Sequence, residues 1–478
     1  MTTQAAENQT RLGNRFPEWV RLVVLCLVFS SVAFGYHALF LNTFNHWWFD
    51  DDPRNFGFVK TVANPLALFI DPVLAANFSS APTLNPMLGV SIWLDSTLAY
   101  RNILFAQLHN VVILAATLAL LFLVLRKWGL SLLTVSTLLL VWLLSPATVA
   151  VSGWLAARHH LEGITWSLAA ILVAQKLVLN EWRENGRSIS LFLFFLGGAA
   201  LFKETLAITV PLGVGLYLWH RERKVAALSC ALLFLVYCGY RCWMVGFTAR
   251  YGPMLSPSGF VEFISRLPYI LFGNAGGYAL LALALAPLIL MYRRGELKPR
   301  IVLFTLVVIA SALAVIYPGA FALNRDWLEP YTWIRIVLLL HTGLLVGAGY
   351  LISRVRMPAL SYIAAAVAIL VAAAGGSVTQ KKWEILLKRY EAEGKYYLEH
   401  PDRLLYSEVP AGWYLDGIQM LYAIPVRHHI IVGEEGGPVA ELLAGHRAIW
   451  RYSDGKFVED PELFEQLSAK AGTSPGSP

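Results

Sequence analysis

The stretch "NHWWFDDDPRNFGFVK" at residues 45–60 places three consecutive aspartates directly after a long apolar run. Proline suits the first position of a helix, so Pro53 predicts that Asp52 is a helix N-cap. Asp50 and Asp51 are not needed for that cap. An ionised carboxylate there could take a proton from an alcohol or hold a divalent cation against a phosphate. The alternative is a solvated acidic turn beside an aromatic belt.

Basic residues recur in the segments that are predicted to lie on the same side of the membrane as these aspartates. Isolated cations at one membrane face indicate an anionic ligand, usually phosphate. The alternative is that each one anchors a helix end by covering apolar surface with its aliphatic stem. A carboxylate facing such cations suits the attack of an acceptor hydroxyl on a sugar whose leaving group is a lipid phosphate. The set is Arg54, Lys60, Arg101, Arg158, Lys203, Arg250, Arg266, Arg325 and Arg335.

The composition predicts a membrane protein. Of 478 residues, 57% are hydrophobic and only 14% are charged, against roughly 25% in a soluble domain. Apolar windows of about 20 residues recur, each long enough to cross a bilayer core of about 30 Å, and they lack strand alternation. We therefore expect an all-α polytopic protein with about eleven transmembrane helices. The predicted spans are 19–41, 103–125, 130–149, 161–179, 188–202, 205–219, 225–246, 269–292, 301–320, 334–353 and 357–377.

The basic clusters between these spans all fall on one side, which the positive-inside rule makes cytoplasmic. Residues 1–18 are then a cytoplasmic tail, and residues 19–377 form the transmembrane domain. The first outer loop, 42–102, and the C-terminal residues 378–478 lie on the extracytoplasmic side. In that C-terminal part, helical spacing at "TQKKWEILLKRYEAEGKYYLEH" and short strands joined by a turn at "SDGK" predict a small α+β domain.

These features resemble the C-type fold of integral-membrane glycosyltransferases, which take sugars from polyprenyl phosphates. Their first outer loop carries an acidic pair near the end of the first span, and "FDDD" looks like it. Four further stretches are similar to the branch that contains the mannosyltransferases with tetratricopeptide tails and their bacterial relatives. In chain order they are "LNPMLGVSIWLD", "WLAARHHL", "LFKETLAITVPL" and "NRDWLEP".

The resemblance implies roles for particular residues. It makes Asp50 the catalytic base or an acceptor-binding carboxylate, with Asp51 close behind. It also implies that Glu204 orients a neighbouring lysine or touches the acceptor. The residues implied to bind the donor phosphate are Lys203, Arg325 and Arg158.

The function expected from the residues and the resemblance is glycosyl transfer. The enzyme would move a hexose or pentose from a polyprenyl-phosphate donor to a hydroxyl of a glycan, lipid or protein, with inversion. A divalent cation, Mg²⁺ or Mn²⁺, could be held by one or two loop carboxylates, but no ligand set is evident in the sequence. The short loops and the lack of outer cysteines favour a bacterial inner membrane with a periplasmic C-terminal domain, and no nucleic-acid partner is expected.

Two alternatives remain open at this point. A flippase or transporter for a lipid-linked glycan would need charged groups deep inside the spans and often an inverted repeat. A glycan ligase or polymerase would use similar residues but transfer an oligosaccharide.

Overall fold

The structure is a computed structural model. Helices make up most of it, and a small sheet lies near the C-terminus. The structure describes residues 17–78, 84–99, 101–246, 257–280, 293–294, 337–344, 358–408, 414–425, 427–432, 434 and 437–471. The helices that precede the sheet are α1 (Glu18–Gly35), α2 (Asp52–Thr61), α3 (Pro72–Phe78), α4 (Pro86–Ala99), α5 (Ile103–Lys127), α6 (Leu132–Leu143), α7 (Pro146–Gly153), α8 (Arg158–Val178), α9 (Gly186–Phe202), α10 (Glu204–His220), α11 (Lys224–Val245), α12 (Pro257–Phe272) and α13 (Pro358–Glu399).

Side-chain caps explain where several of these helices begin. The Asn102 side chain accepts a hydrogen bond from an amide in the first turn of α5, and Asn185 does the same for α9. Ser131 caps α6 in the same way. Such caps satisfy backbone donors that a helix leaves without an internal partner.

Five of the described helices are long and apolar enough to cross a membrane, and the pair α6 and α7 adds a sixth if it is counted as one span. This pair is bent by 61° next to Pro146, where a proline lacks the backbone donor that a continuous helix would use. Multi-pass membrane character is thus supported, whereas the number eleven stays a prediction. The predicted span 301–320 lies outside the described residues. The five helices are Trp19–Leu41, Ile103–Lys127, Arg158–Val178, Lys224–Val245 and Tyr362–Glu399.

Polar contacts gather three helix connections at one end of the helices. Lys127, at the end of α5, pairs with Glu181 between α8 and α9. Glu184 in the same connection accepts a hydrogen bond from the Ala226 amide at the start of α11, at 2.7 Å. The basic clusters of these connections are predicted to share one side of the membrane, and their proximity agrees with that. Which side is cytoplasmic stays a prediction.

A single helix carries the chain from its last apolar stretch into the C-terminal part. The helix α13 has 42 residues and is therefore about 63 Å long, roughly twice the thickness of a bilayer core. The predicted change from span to polar domain at residue 378 falls inside this unbroken helix. A single continuous helix therefore connects the C-terminal part to the membrane helices.

The strands that follow form a sheet in the order β2-β1-β3-β4, in which β1 is parallel to both of its neighbours. β3 and β4 form an antiparallel hairpin, and its turn at Asp454 and Gly455 has φ values of 50° and 82°. Positive φ at both positions suits a two-residue hairpin, so the turn predicted at "SDGK" is confirmed. The sequence did not predict the central strand β1. The elements are β1 (Leu404–Ser407), α14 (Tyr414–Tyr422), β2 (His429–Ile431), α15 (Gly437–Ala444), β3 (Ile449–Ser453), β4 (Lys456–Glu459) and α16 (Pro461–Lys470).

The first outer loop packs directly against this C-terminal part, where α2 crosses α14. A Cβ atom added to Gly417 would lie 2.5 Å from the backbone nitrogen of Arg54, and one added to Gly57 would lie 3.0 Å from the backbone nitrogen of Leu421. Only glycine permits backbones to approach so closely. The loop and the C-terminal part therefore lie on the same side of the helices, as the predicted topology requires.

Gly417→Ala should weaken the contact between α2 and α14, because its new methyl group meets the Arg54 backbone rather than a movable side chain. We expect a loss of roughly 1–3 kcal/mol in the free energy of unfolding. The measurements are the Tm and the rate of trypsin cleavage of the detergent-purified protein. Gly445→Ala is the matched control, because its nearest neighbours would be 3.7 Å away. Equal destabilisation by the two variants would contradict the close crossing.

Candidate functional site

The acidic turn at residues 50–52 leads into α2 and is separated from the first long helix by residues 42–49. Asp50 has a φ of 50°, in the left-handed region that aspartate tolerates better than most residues. Asp51 occupies the N-cap position of α2, yet its side chain does not cap that helix. Instead, its Oδ1 accepts a hydrogen bond from Trp154 Nε1 at 3.2 Å. The turn is thus held by a residue more than 100 positions away.

Asp52 is buried, with only 2% of its surface exposed. Its carboxylate accepts hydrogen bonds from the amides of Phe49 at 3.3 Å and Ala156 at 2.7 Å. The predicted role of Asp52 as the N-cap is therefore wrong, because the helix begins one residue earlier than expected and the side chain binds amides outside it. Burial, reinforced by the negative charge of Asp51, raises the pKa of Asp52 well above its ordinary value, against the lowering effect of the two amides.

The aromatic residues beside the turn lie inside the protein and do not form a belt at a membrane surface. Trp48 and Phe49 are 1% and 3% exposed. The Phe49 ring packs 4.4 Å from Trp383 and 4.8 Å from Tyr390, both on α13, measured between ring centroids. Since these rings are buried, the alternative of a solvated turn beside an aromatic belt is not what the structure shows. Asp50 and Asp51 themselves are partly buried.

Arg158 lies at the first position of α8, two residues after Ala156, and none of its surface is exposed. Its Nη1 donates to Asp95 Oδ2 on α4 at 2.5 Å. The same nitrogen lies 3.2 Å from His109 Nδ1 on α5, which in turn lies 2.8 Å from Asp95 Oδ1. This buried network joins three helices. Its burial favours a positioning role for Arg158 over direct contact with a donor phosphate.

Glu162 adds a second carboxylate to this network, one helical turn beyond Arg158. Its Oε1 accepts a hydrogen bond from Ser91 Oγ at 2.5 Å. The same oxygen lies 3.9 Å from Arg158 Nε and 4.0 Å from His109 Nε2. Buried ionisable groups at the ends of apolar helices are expensive to desolvate and usually functional. We refer to Ser91, Asp95, His109, Arg158 and Glu162 as the buried network.

Lys203 lies at the break between α9 and α10, where the sequence predicts a turn between two short spans. The helix break is confirmed: Lys203 is extended, with φ −156° and ψ 130°, and half-buried. The neighbouring Glu204 accepts hydrogen bonds from the Leu84 amide at 2.9 Å and from Arg241 Nε at 3.1 Å. Glu204 is thus engaged by α11 and by the segment before α4.

These contacts connect four of the five stretches that carry the resemblance. "FDDD" touches "WLAARHHL" through Asp51 and Asp52, and Arg158 in that second stretch binds Asp95 in "LNPMLGVSIWLD". "LFKE" reaches the beginning of the same stretch through Glu204, which accepts a hydrogen bond from the Leu84 amide. Arg325 lies outside the described residues, so its predicted contact with the donor stays a prediction.

Several residues of this region were not identified from the sequence. They are Asp95, His109, Glu162 and Arg241. The available signals were the spacing of four between Arg158 and Glu162, which places both on one helix face, and charged residues within otherwise apolar helices.

An open cavity of about 330 Å³ lies between α2 and α4. Lys60 and Trp93 line it together with two hydroxyl residues. It lies at the opposite end of α2 from Asp52, about 12 Å along the helix at 1.5 Å per residue. The lining residues are Val59, Lys60, Val62, Trp93, Ser96 and Thr97.

Among the residues that the structure describes, no group of three or more His, Cys, Asp or Glu side chains could hold a metal ion. A divalent cation therefore stays a prediction without a ligand set.

Comparison of the chain with models of known families and with curated proteins finds no match.

Asp52→Asn should change how stability depends on pH. Because the pKa of Asp52 is raised in the folded state above about 3.9, the folded protein keeps a proton that the unfolded chain releases. Stability should then fall as the pH rises from about 4 towards the folded-state pKa. The asparagine is neutral throughout, so we expect the Tm of the variant to fall less than that of wild type over this range.

The measurement is the Tm at a series of pH values from about 4 to neutral. Asp402→Asn, which changes an exposed aspartate before β1, is the control and should follow wild type. If Asp52→Asn and wild type lose the same Tm over this range, Asp52 does not hold the proton.

Proposed function

We propose that the protein is a membrane glycosyltransferase that moves a sugar from a polyprenyl-phosphate donor to an acceptor hydroxyl. The observation that carries the proposal is a series of contacts: the acidic turn binds the turn before α8, Arg158 at the start of α8 binds Asp95 on α4, and Glu204 beside the helix break binds the Leu84 amide just before α4. Four stretches far apart in sequence are thereby linked at one end of apolar helices. A reaction between a lipid-anchored donor and a polar acceptor needs such a place, at the boundary of lipid and water.

Asp50 and Asp51 are the proposed catalytic carboxylates. Asp52 is less suited to be the base, because burial raises its pKa and it is occupied by two amides. Asp50 or Asp51 would remove the proton of the acceptor hydroxyl as the glycosyl–phosphate bond breaks, with inversion at the sugar.

Lys203 and Arg325 are the proposed ligands of the donor phosphate. Lys203 is half-buried at the helix break, next to Glu204, which binds the segment before α4. Positive charge there would stabilise the negative charge that grows on the leaving phosphate in the transition state. Glu204 would keep the break in place through Leu84 and Arg241. The groove for the lipid tail would lie between the helices that flank this break.

The acceptor would reach the site from the side of the first outer loop and the C-terminal part, which we assign to the extracytoplasmic face. The cavity lined by Lys60 and Trp93 offers polar groups and one aromatic face on the flank of α2. Such a composition suits a sugar or another polyhydroxyl compound. We place the protein in a bacterial inner membrane, with its C-terminal part in the periplasm.

A transporter for a lipid-linked glycan is the second candidate, because the buried network places charged groups inside apolar helices. Arg158 and Glu162 lie in the first turns of α8, however, close to the acidic turn rather than midway along the helix. This position suits an interfacial reaction better than passage across the bilayer. Reconstituted vesicles with a fluorescent polyprenyl-phosphate sugar distinguish the two: transport moves the donor between leaflets without cleaving it.

Because one of the two carboxylates is the proposed base, at least one of the variants Asp50→Asn and Asp51→Asn should lower the rate of sugar transfer by roughly 100-fold or more, the usual contribution of a general base. The assay supplies radiolabelled polyprenyl-phosphate hexoses and pentoses with a membrane fraction as the acceptor source, and measures release of polyprenyl phosphate. Donor binding, followed by native mass spectrometry, should be unchanged in both variants. Lys203→Ala should instead weaken donor binding.

Asp71→Asn is the matched control, because Asp71 is an exposed aspartate of the same loop that binds the Val73 and Leu74 amides at 2.9 and 3.0 Å. It should transfer sugar at the wild-type rate. Wild-type rates in the Asp50→Asn and Asp51→Asn variants would remove the acidic turn from the mechanism.

A further inference from the structure

Arg158 is enclosed by the protein and cannot reach a substrate without breaking its contacts. None of its surface is exposed, its Nη1 donates to Asp95, and the same nitrogen lies 3.2 Å from His109 Nδ1. Its Nε and Nη2 form no hydrogen bond with any residue that the structure describes. Removing a guanidinium from water is energetically costly, so we expect Arg158 to have a role that depends on its buried position.

The turn before Arg158 carries the groups that hold the acidic residues. Trp154 Nε1 binds Asp51, and the Ala156 amide binds Asp52. The turn itself is tight, since the Ala157 amide donates to the Trp154 carbonyl and the Arg158 amide to the Leu155 carbonyl, both at 3.2 Å. Because residues 154–158 are all buried, we expect the position of the turn to follow the position of the start of α8.

The partners of Arg158 come from two other helices. Asp95 belongs to α4 in the first outer loop, whereas His109 belongs to α5. Glu162 and Ser91 add a second link between α8 and α4. The buried network therefore fixes the start of α8 relative to both, and with it the turn that binds Asp51 and Asp52.

We infer that Arg158, Asp95 and His109 are positioning residues that set the location of the acidic turn. The guanidinium of Arg158 faces two carboxylates with different nitrogens, Asp95 with Nη1 at 2.5 Å and Glu162 with Nε at 3.9 Å, and the single ammonium of a lysine on its flexible stem would not reproduce this arrangement. The part of this inference that concerns catalysis rests on the proposed function. The part that concerns the position of Asp52 does not.

The test measures the position of the acidic turn without relying on activity. Asp52 is buried in the native protein and should resist coupling by a water-soluble carbodiimide with glycine ethyl ester, as read by mass spectrometry of the peptide. In Arg158→Lys and Asp95→Asn, the turn should separate from Ala156, and Asp52 should become labelled. Asp95→Glu keeps the charge and should restore much of the protection.

Lys127→Ala is the matched control. It removes an ion pair at the opposite end of the helices, so labelling of Asp52 and transfer activity should both stay at wild-type levels. Tm is recorded for every variant, and labelling is compared at a temperature where all of them are folded. Global unfolding would expose carboxylates throughout the chain, whereas release of the turn exposes Asp52 selectively.

Activity gives a second readout. Displacement of the acidic turn should lower kcat by roughly 100-fold, the effect of misplacing a reacting group by about 1 Å, and leave the KM for donor unchanged.

Loss of kcat with Asp52 still protected would overturn the inference and make Arg158 a direct ligand of the substrate. Wild-type protection and kcat in both Arg158→Lys and Asp95→Asn would overturn it as well. Labelling of Asp52 in the variants, with no transfer by wild type, would support the positioning role and contradict the proposed function.

Discussion

The ion pair between Arg158 and Asp95 is the interaction on which the candidate site depends. Both side chains are almost fully buried, and removing such ions from water costs several kcal/mol for each ion. The close contact between them, with His109 beside it, offsets that cost only while all partners stay in place. Removal of one partner from a buried pair typically destabilises a protein by about 3–5 kcal/mol. The positions of α4, α5 and α8 are therefore strongly coupled at this end of the helices.

Acidic and basic side chains also pair at the opposite end of the helices, but there the pairs contribute less to stability. The pair between Lys127 and Glu181 is 27% and 42% exposed, and solvent-exposed pairs contribute about 0–1 kcal/mol. Such contacts fit the predicted role of basic clusters, which is to orient the chain in the membrane and not to fix a geometry. Charged side chains therefore occur at both ends of the helices, but the ion pair at the end that carries the candidate site is buried and the pair at the other end is not.

Local features of this protein were predictable from the sequence, whereas the network was not. The helix break at Lys203 and the hairpin at "SDGK" follow from a few neighbouring residues. The strand β1 was missed because it pairs with strands far along the chain, and parallel pairing leaves little local signal. Arg158 and Asp95 are 63 residues apart, so their pairing depends on how α4 packs against α8. From the sequence alone, Arg158 cannot be distinguished from the other isolated cations.

The C-terminal part packs against the candidate site and the first outer loop. The unbroken helix α13 leads into it, and its Trp383 and Tyr390 pack on Phe49 next to the acidic turn. Trp47 Nε1 donates to the Tyr414 hydroxyl at 3.1 Å, and Arg101 Nε donates to the Leu421 carbonyl at 2.9 Å. Because these contacts hold α14 against residues that precede and follow α2 in the first outer loop, hinge motion of the C-terminal part as a lid would require breaking them together. An acceptor of the proposed reaction would then approach along the sides of α2 that α14 leaves uncovered, such as the side with the cavity between α2 and α4.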